Sequence, residues 1–101
     1  MTEQADLVGV WIEVAEEGGD GQHVFYRDGS DIPPARGRRQ LRLDNQGLAL
    51  GGRPGPSDKT VAAGSGGWTL DGEVLRIDLP GWEGSYEIDT AQDDKLILRK
   101  R

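Results

Sequence analysis

The chain has 101 residues, 30% of them charged and 35% hydrophobic, with 16 glycines, no cysteine and a formal net charge of −6. That length supports one modest core, so a single domain over 1–101 is expected. Without cysteine there is no disulfide or thiolate site. No run approaches the ~18 apolar residues of a membrane helix, and the acidic balance disfavours nucleic acid as a partner.

The first six residues are polar and carry no apolar leader segment, so a cytoplasmic protein is expected. Apolar residues then recur with period two, the signature of strands with one face buried. Candidate strands fall at about 7–15, 22–27, 38–44, 47–51, 61–70, 73–79, 82–89 and 95–100. Leu41 and Leu43 alternate with Arg42, Leu75, Ile77 and Leu79 with Arg76 and Asp78, and Trp82, Tyr86 and Ile88 with Glu83 and Glu87. Glu16 to Gly21, Asp44 to Gly47, Asp71-Gly72, Pro80-Gly81 and Ala91 to Asp94 read as turns between them, with Asp71-Gly72 a two-residue hairpin signal. Two longer stretches, 28–37 and 52–60, interrupt the rhythm. No amphipathic helix is visible; 89–95 has room for one turn at most.

Consecutive hairpins predict an all-β, eight-stranded antiparallel up-and-down barrel that closes on itself and leaves no free edge. Its expected interior is Leu7, Trp11, Val24, Tyr26, Leu41, Leu43, Leu48, Leu50, Trp68, Leu70, Leu75, Ile77, Leu79, Trp82, Tyr86, Ile88, Leu96 and Leu98. An eight-stranded barrel is only just wide enough for its own side chains or one small ligand, so this set largely fills it.

Leu7-x-Gly9-x-Trp11, Gly67-Trp68 ahead of Asp71-Gly72, Tyr86-x-Ile88 and the closing Lys95-Leu96-x-Leu98-Arg99 resemble the small bacterial lipocalin-like barrels of the calycin group. The resemblance runs from about Asp6 to Arg99. It implies a structural barrel end in which Gly9 precedes Trp11 and a basic side chain of the last strand, Arg99 or Arg101, stacks on the indole. It also implies a barrel that holds a small hydrophobic molecule. Typical ligand carriers of that group are longer, and some short barrels act as inhibitors or cyclases, so fold alone does not assign function.

Charge is unevenly distributed: residues 32–60 carry six bases and two acids, whereas 1–31 carry eight acids and one base. Within the basic block, Arg36, Arg38 and Arg39 are suited to an anionic group at the barrel mouth, or else to pairing with acids on neighbouring strands. Asp58-Lys59 reads as a turn. His23, the single histidine, reads as a strand-surface residue with no serine elbow to serve. Zinc is implausible with one histidine and no cysteine. The pairs Glu16-Glu17 and Asp93-Asp94 read as solvated turn charges, and Gly64, Gly66 and Gly67 lack the lysine and the helix of a phosphate loop.

The expectation is therefore a non-enzymatic barrel without a cofactor that binds a small hydrophobic, amphipathic or anionic ligand. The expected ligand-binding set is Tyr26, Arg38, Trp68, Trp82 and Tyr86. The alternative is a protein-binding or inhibitor-type barrel acting through loops 28–37 and 52–60.

Overall fold

The computed structural model describes residues 2–32, 38–54 and 60–101. They form eight strands: β1 (Gly9–Glu13), β2 (Gln22–Arg27), β3 (Gln40–Leu43), β4 (Leu48–Pro54), β5 (Thr60–Asp71), β6 (Val74–Asp78), β7 (Gly84–Ala91) and β8 (Lys95–Lys100). All eight expected strands are present, and they close an antiparallel barrel in the order β1-β2-β8-β7-β6-β5-β4-β3. From β3 to β8 each strand pairs with the next. The opening hairpin is set in the remaining gap, with β2 against β8 and β1 against β3. β2 and β3 thus flank β1 and run the same way, so the 28–39 connection joins opposite ends of the barrel. Its described flanks bond to β1, through Asp28 N to Val10 O and Glu13 N to Arg39 O.

Two helical pieces escape the strand pattern. A single turn, α1 (Gln4–Leu7), precedes β1, and a short 3₁₀ turn covers Ala15–Glu17. In α1 the Glu3 N–H donates to Asp6 Oδ2 at 2.9 Å, which satisfies an amide that the short helix leaves unpaired. One turn is too short to produce a 3.6-residue period. Residues 89–95, the expected place for a turn of helix, instead end β7, turn and enter β8.

Period two places most of the interior correctly: Leu7, Trp11, Leu41, Leu43, Trp68, Leu75, Ile77, Leu79, Trp82, Tyr86, Leu96 and Leu98 pack in one core. Two strands have the opposite parity to that expected. In β4 the residues opposite Leu41 and Leu43 are Gly51 and Ala49, so those small residues share the inner face. Leu48 is consequently 43% exposed, and Leu50 lies on the outer side. The physical reason is volume, because Trp68 on the neighbouring strand already occupies that part of the barrel. In β2, Phe25 takes the inner place expected of Tyr26. Val24 is buried too, but outside the main core, in the region the 3₁₀ turn contacts. Trp82 belongs to the turn before β7 and not to a strand.

Gly66 shows how tightly β5 crosses its neighbour. A Cβ there would lie 1.6 Å from the Asp78 carbonyl oxygen, so only glycine permits the approach.

Candidate functional site: a charged cluster at one barrel end

The two ends of the barrel differ. At the α1 end Trp11 is fully buried, and its indole N–H donates to Leu7 O at 2.9 Å. The cation over Trp11 is Arg27, 4.2 Å from the ring centroid, and not Arg99. Arg27 is the direct cross-strand partner of Trp11 and so points to the same face. Its guanidinium also donates to the carbonyls of Val8 and Asp93, at 2.8 and 2.5 Å. Arg99 lies opposite Gln22 on the outer side and pairs with Asp89 at 3.0 Å, and Arg101 pairs with Glu87. Gly9 is required beside this closure. Its φ is +137°, and a Cβ would sit 2.2 Å from Arg27 Nη1.

The other end is polar inside. Following β1 inward from Trp11, period two brings Glu13 to the inner face, where it is only 6% exposed. Arg39 lies across from it, as the Glu13 N–H to Arg39 O bond shows, and Phe25 faces it from β2. Two residues before Phe25 the same parity turns His23 inward. Glu13 Oε1 accepts from Arg39 Nε at 2.9 Å, and Oε2 accepts from Arg39 Nη2 and from His23 Nδ1, both at 3.1 Å. A buried carboxylate is tolerated only with such partners, and the two donors of Arg39 and the contact to His23 supply them.

Aromatic rings wall the cluster. The Arg39 guanidinium stacks 4.0 Å from the Trp82 ring centroid. His23 meets Trp82 and Tyr86 edge-on, at 5.4 and 5.8 Å between centroids. The Tyr86 hydroxyl donates to Trp82 O at 2.7 Å, fixing the turn that carries the indole. Burial pushes the Tyr86 phenol up from its ordinary pKa, against the pull of Arg39. Neither Arg39 Nη1 nor His23 Nε2 has a hydrogen-bond partner among the described residues.

The expected ligand-binding set separates on this geometry. Trp82 and Tyr86 come together at the charged end. Tyr26 is on the outer side, where its hydroxyl donates to Glu17 at 2.7 Å and Lys95 lies 5.4 Å over its ring. That bond to Glu17 raises the Tyr26 pKa. Trp68 donates to Asp44 O and borders an open outer groove of about 630 Å³ shared with Arg76, Asp78, Glu83 and Ser85. Arg38 is held by Glu16 through a two-point ion pair at 2.8 and 2.9 Å, and this pair lowers the Glu16 pKa to about 2. Arg39, its neighbour, takes the position at the mouth. Arg36 and Asp58-Lys59 lie outside the described residues, as does about half of each long connection. Gly64, Gly66 and Gly67 are all within β5.

Glu13 was not singled out in the sequence, and Arg39 appeared there only as one of three basic residues; His23, expected on the strand surface, instead turns inward to Glu13 and the Trp82 and Tyr86 rings. The available signal was parity: Trp11 and Glu13 are two apart, and so are His23 and Phe25. Reading Val24 and Tyr26 as the inner pair of β2 hid it. Among the described residues, no three His, Cys, Asp or Glu side chains converge as metal ligands, and no helix is long and apolar enough to cross a membrane. No family model, no curated protein and no solved structure matches the chain.

Proposed function

We propose that this barrel is a non-enzymatic binding protein for a small amphipathic ligand, docked at the Glu13–His23–Arg39 end. The observation that carries the reading is the buried Glu13 carboxylate, which holds Arg39 against Trp82 and leaves one guanidinium edge without a partner among the described residues. The fold has placed a charge where burial is costly and then supported it with three hydrogen bonds from two side chains, and such preorganisation is what an anion receptor requires. An acidic head group meets the open edge of Arg39, and the apolar part of the ligand meets the Trp82 side of the mouth. The barrel interior beneath is occupied by Phe25, Leu96 and Leu98, so the ligand is small and seated at the rim.

The test is a fluorescence titration with anilinonaphthalene sulfonate, an aromatic amphiphile with a permanent anionic group. Arg39→Ala is expected to weaken binding about tenfold or more, the worth of one charge-assisted hydrogen bond. Arg38→Ala and Arg76→Ala are expected to change it less than about threefold. Equal loss from Arg76→Ala would move the site to the outer groove, and no binding to the parent protein would overturn the proposal.

A further inference from the structure

We infer that the mouth takes up its anionic ligand together with a proton on His23, which makes the site an acid-favoured receptor for anionic amphiphiles. This rests on the reading of that end as the binding site. The Glu13 carboxylate can only accept, so the 3.1 Å contact to Nδ1 requires the proton to be on Nδ1 in the neutral ring. The lone pair is then on Nε2, the nitrogen without a described partner. With His23 neutral, Glu13 and Arg39 cancel in charge, and an arriving anion meets a lone pair. With His23 protonated, Nε2 becomes a donor, and the cluster of Glu13, Arg39 and His23 carries one net positive charge.

The other charged and titratable groups around the mouth are engaged and of types that keep their charge between about pH 5.5 and 8. Glu16 is held by Arg38, and Glu17 accepts from Tyr26. From the turn before β7, Glu83 accepts the Gly81 N–H. From β8, Lys100 donates to Glu83 O and lies 5.2 Å over the Tyr86 ring. Tyr86 donates to Trp82 O. Histidine is the side-chain type whose charge ordinarily changes in that range, and His23 is the single histidine of the chain.

The test compares anilinonaphthalene sulfonate with phenylnaphthylamine, the same ring system without the charge, at about pH 5.5 and pH 8. The sulfonate is expected to bind at least about tenfold tighter at the lower pH, the neutral probe equally at both, and His23→Gln to remove the difference. Because His23 is the single histidine, its ring resonance can also be followed in the unmodified protein. Linkage requires the bound sulfonate to raise its titration midpoint by about one pH unit if affinity changes tenfold. This second readout decides the matter even if His23→Gln does not fold. Sulfonate binding that is equal at both pH values, a pH dependence that survives His23→Gln, or a midpoint unmoved by bound sulfonate each overturns the inference while leaving the binding site in place. Failure of both probes at both pH values overturns the binding site itself, and the inference with it.

Discussion

Replacing Arg27 by alanine removes the closure of the α1 end. The lost contacts are the stack on Trp11 at 4.2 Å and the charged donations to the Val8 and Asp93 carbonyls. The stack contributes about 0.5–2 kcal/mol. Each charged hydrogen bond contributes about 1.5–3 kcal/mol, roughly halved here because Arg27 is only half-buried. The expected loss is about 3 kcal/mol, or a fall in Tm of about 12–24 °C for a domain of this size. Arg99→Ala is the control. Its pair with Asp89 is on the surface, with the Arg99 side chain 58% exposed, so the cost stays below about 1 kcal/mol. Urea unfolding followed by tryptophan fluorescence gives both values. Equal losses from the two substitutions, or a larger one from Arg99→Ala, would refute the assignment of Arg27 as the residue that seals Trp11.

Three further outcomes are expected. Glu13→Gln keeps the shape of the cluster but removes its negative charge; with Arg39 41% exposed and able to turn outward, the loss is about 2–3 kcal/mol in the same assay. Gly66→Ala puts a methyl group 1.6 Å from a backbone oxygen that cannot swing away, so β5 must shift, at a cost of about 2–4 kcal/mol measured by thermal unfolding. The Glu16 carboxyl is lowered to about 2 by Arg38, so its ion pair contributes stability above the ordinary value of 4.5 and loses it as pH falls toward 2. The stability gap between the parent protein and Glu16→Gln should therefore be constant above about pH 5 and shrink steadily below about 4.5.

Strand positions and the barrel were legible because hairpin turns and period-two alternation are local signals. Leu41, Leu43, Leu75, Ile77 and Leu79 all face inward as their spacing requires. What was not legible depended on partners distant in the chain. Nothing in Leu48-Ala49-Leu50 says that the smaller residue faces inward; the space taken by Trp68 decides it. The placement of β2 beside β8, and so of Arg27 over Trp11, is a matter of strand order that no local pattern records. The same holds for the site. Glu13, His23 and Arg39 are polar residues on separate segments, and polarity reads as a surface property until the register turns all three toward one barrel end.

Where a ligand docks is reported in one experiment by the three tryptophan indole N–H resonances. Trp11 and Trp68 are tied to the carbonyls of Leu7 and Asp44, whereas Trp82 lies beneath Arg39 at the mouth. Titration of isotopically labelled protein with anilinonaphthalene sulfonate at about pH 5.5 should move the Trp82 resonance and leave the other two in place. Movement of Trp68 alone, which would report the outer groove, or of no indole at all, would contradict the account.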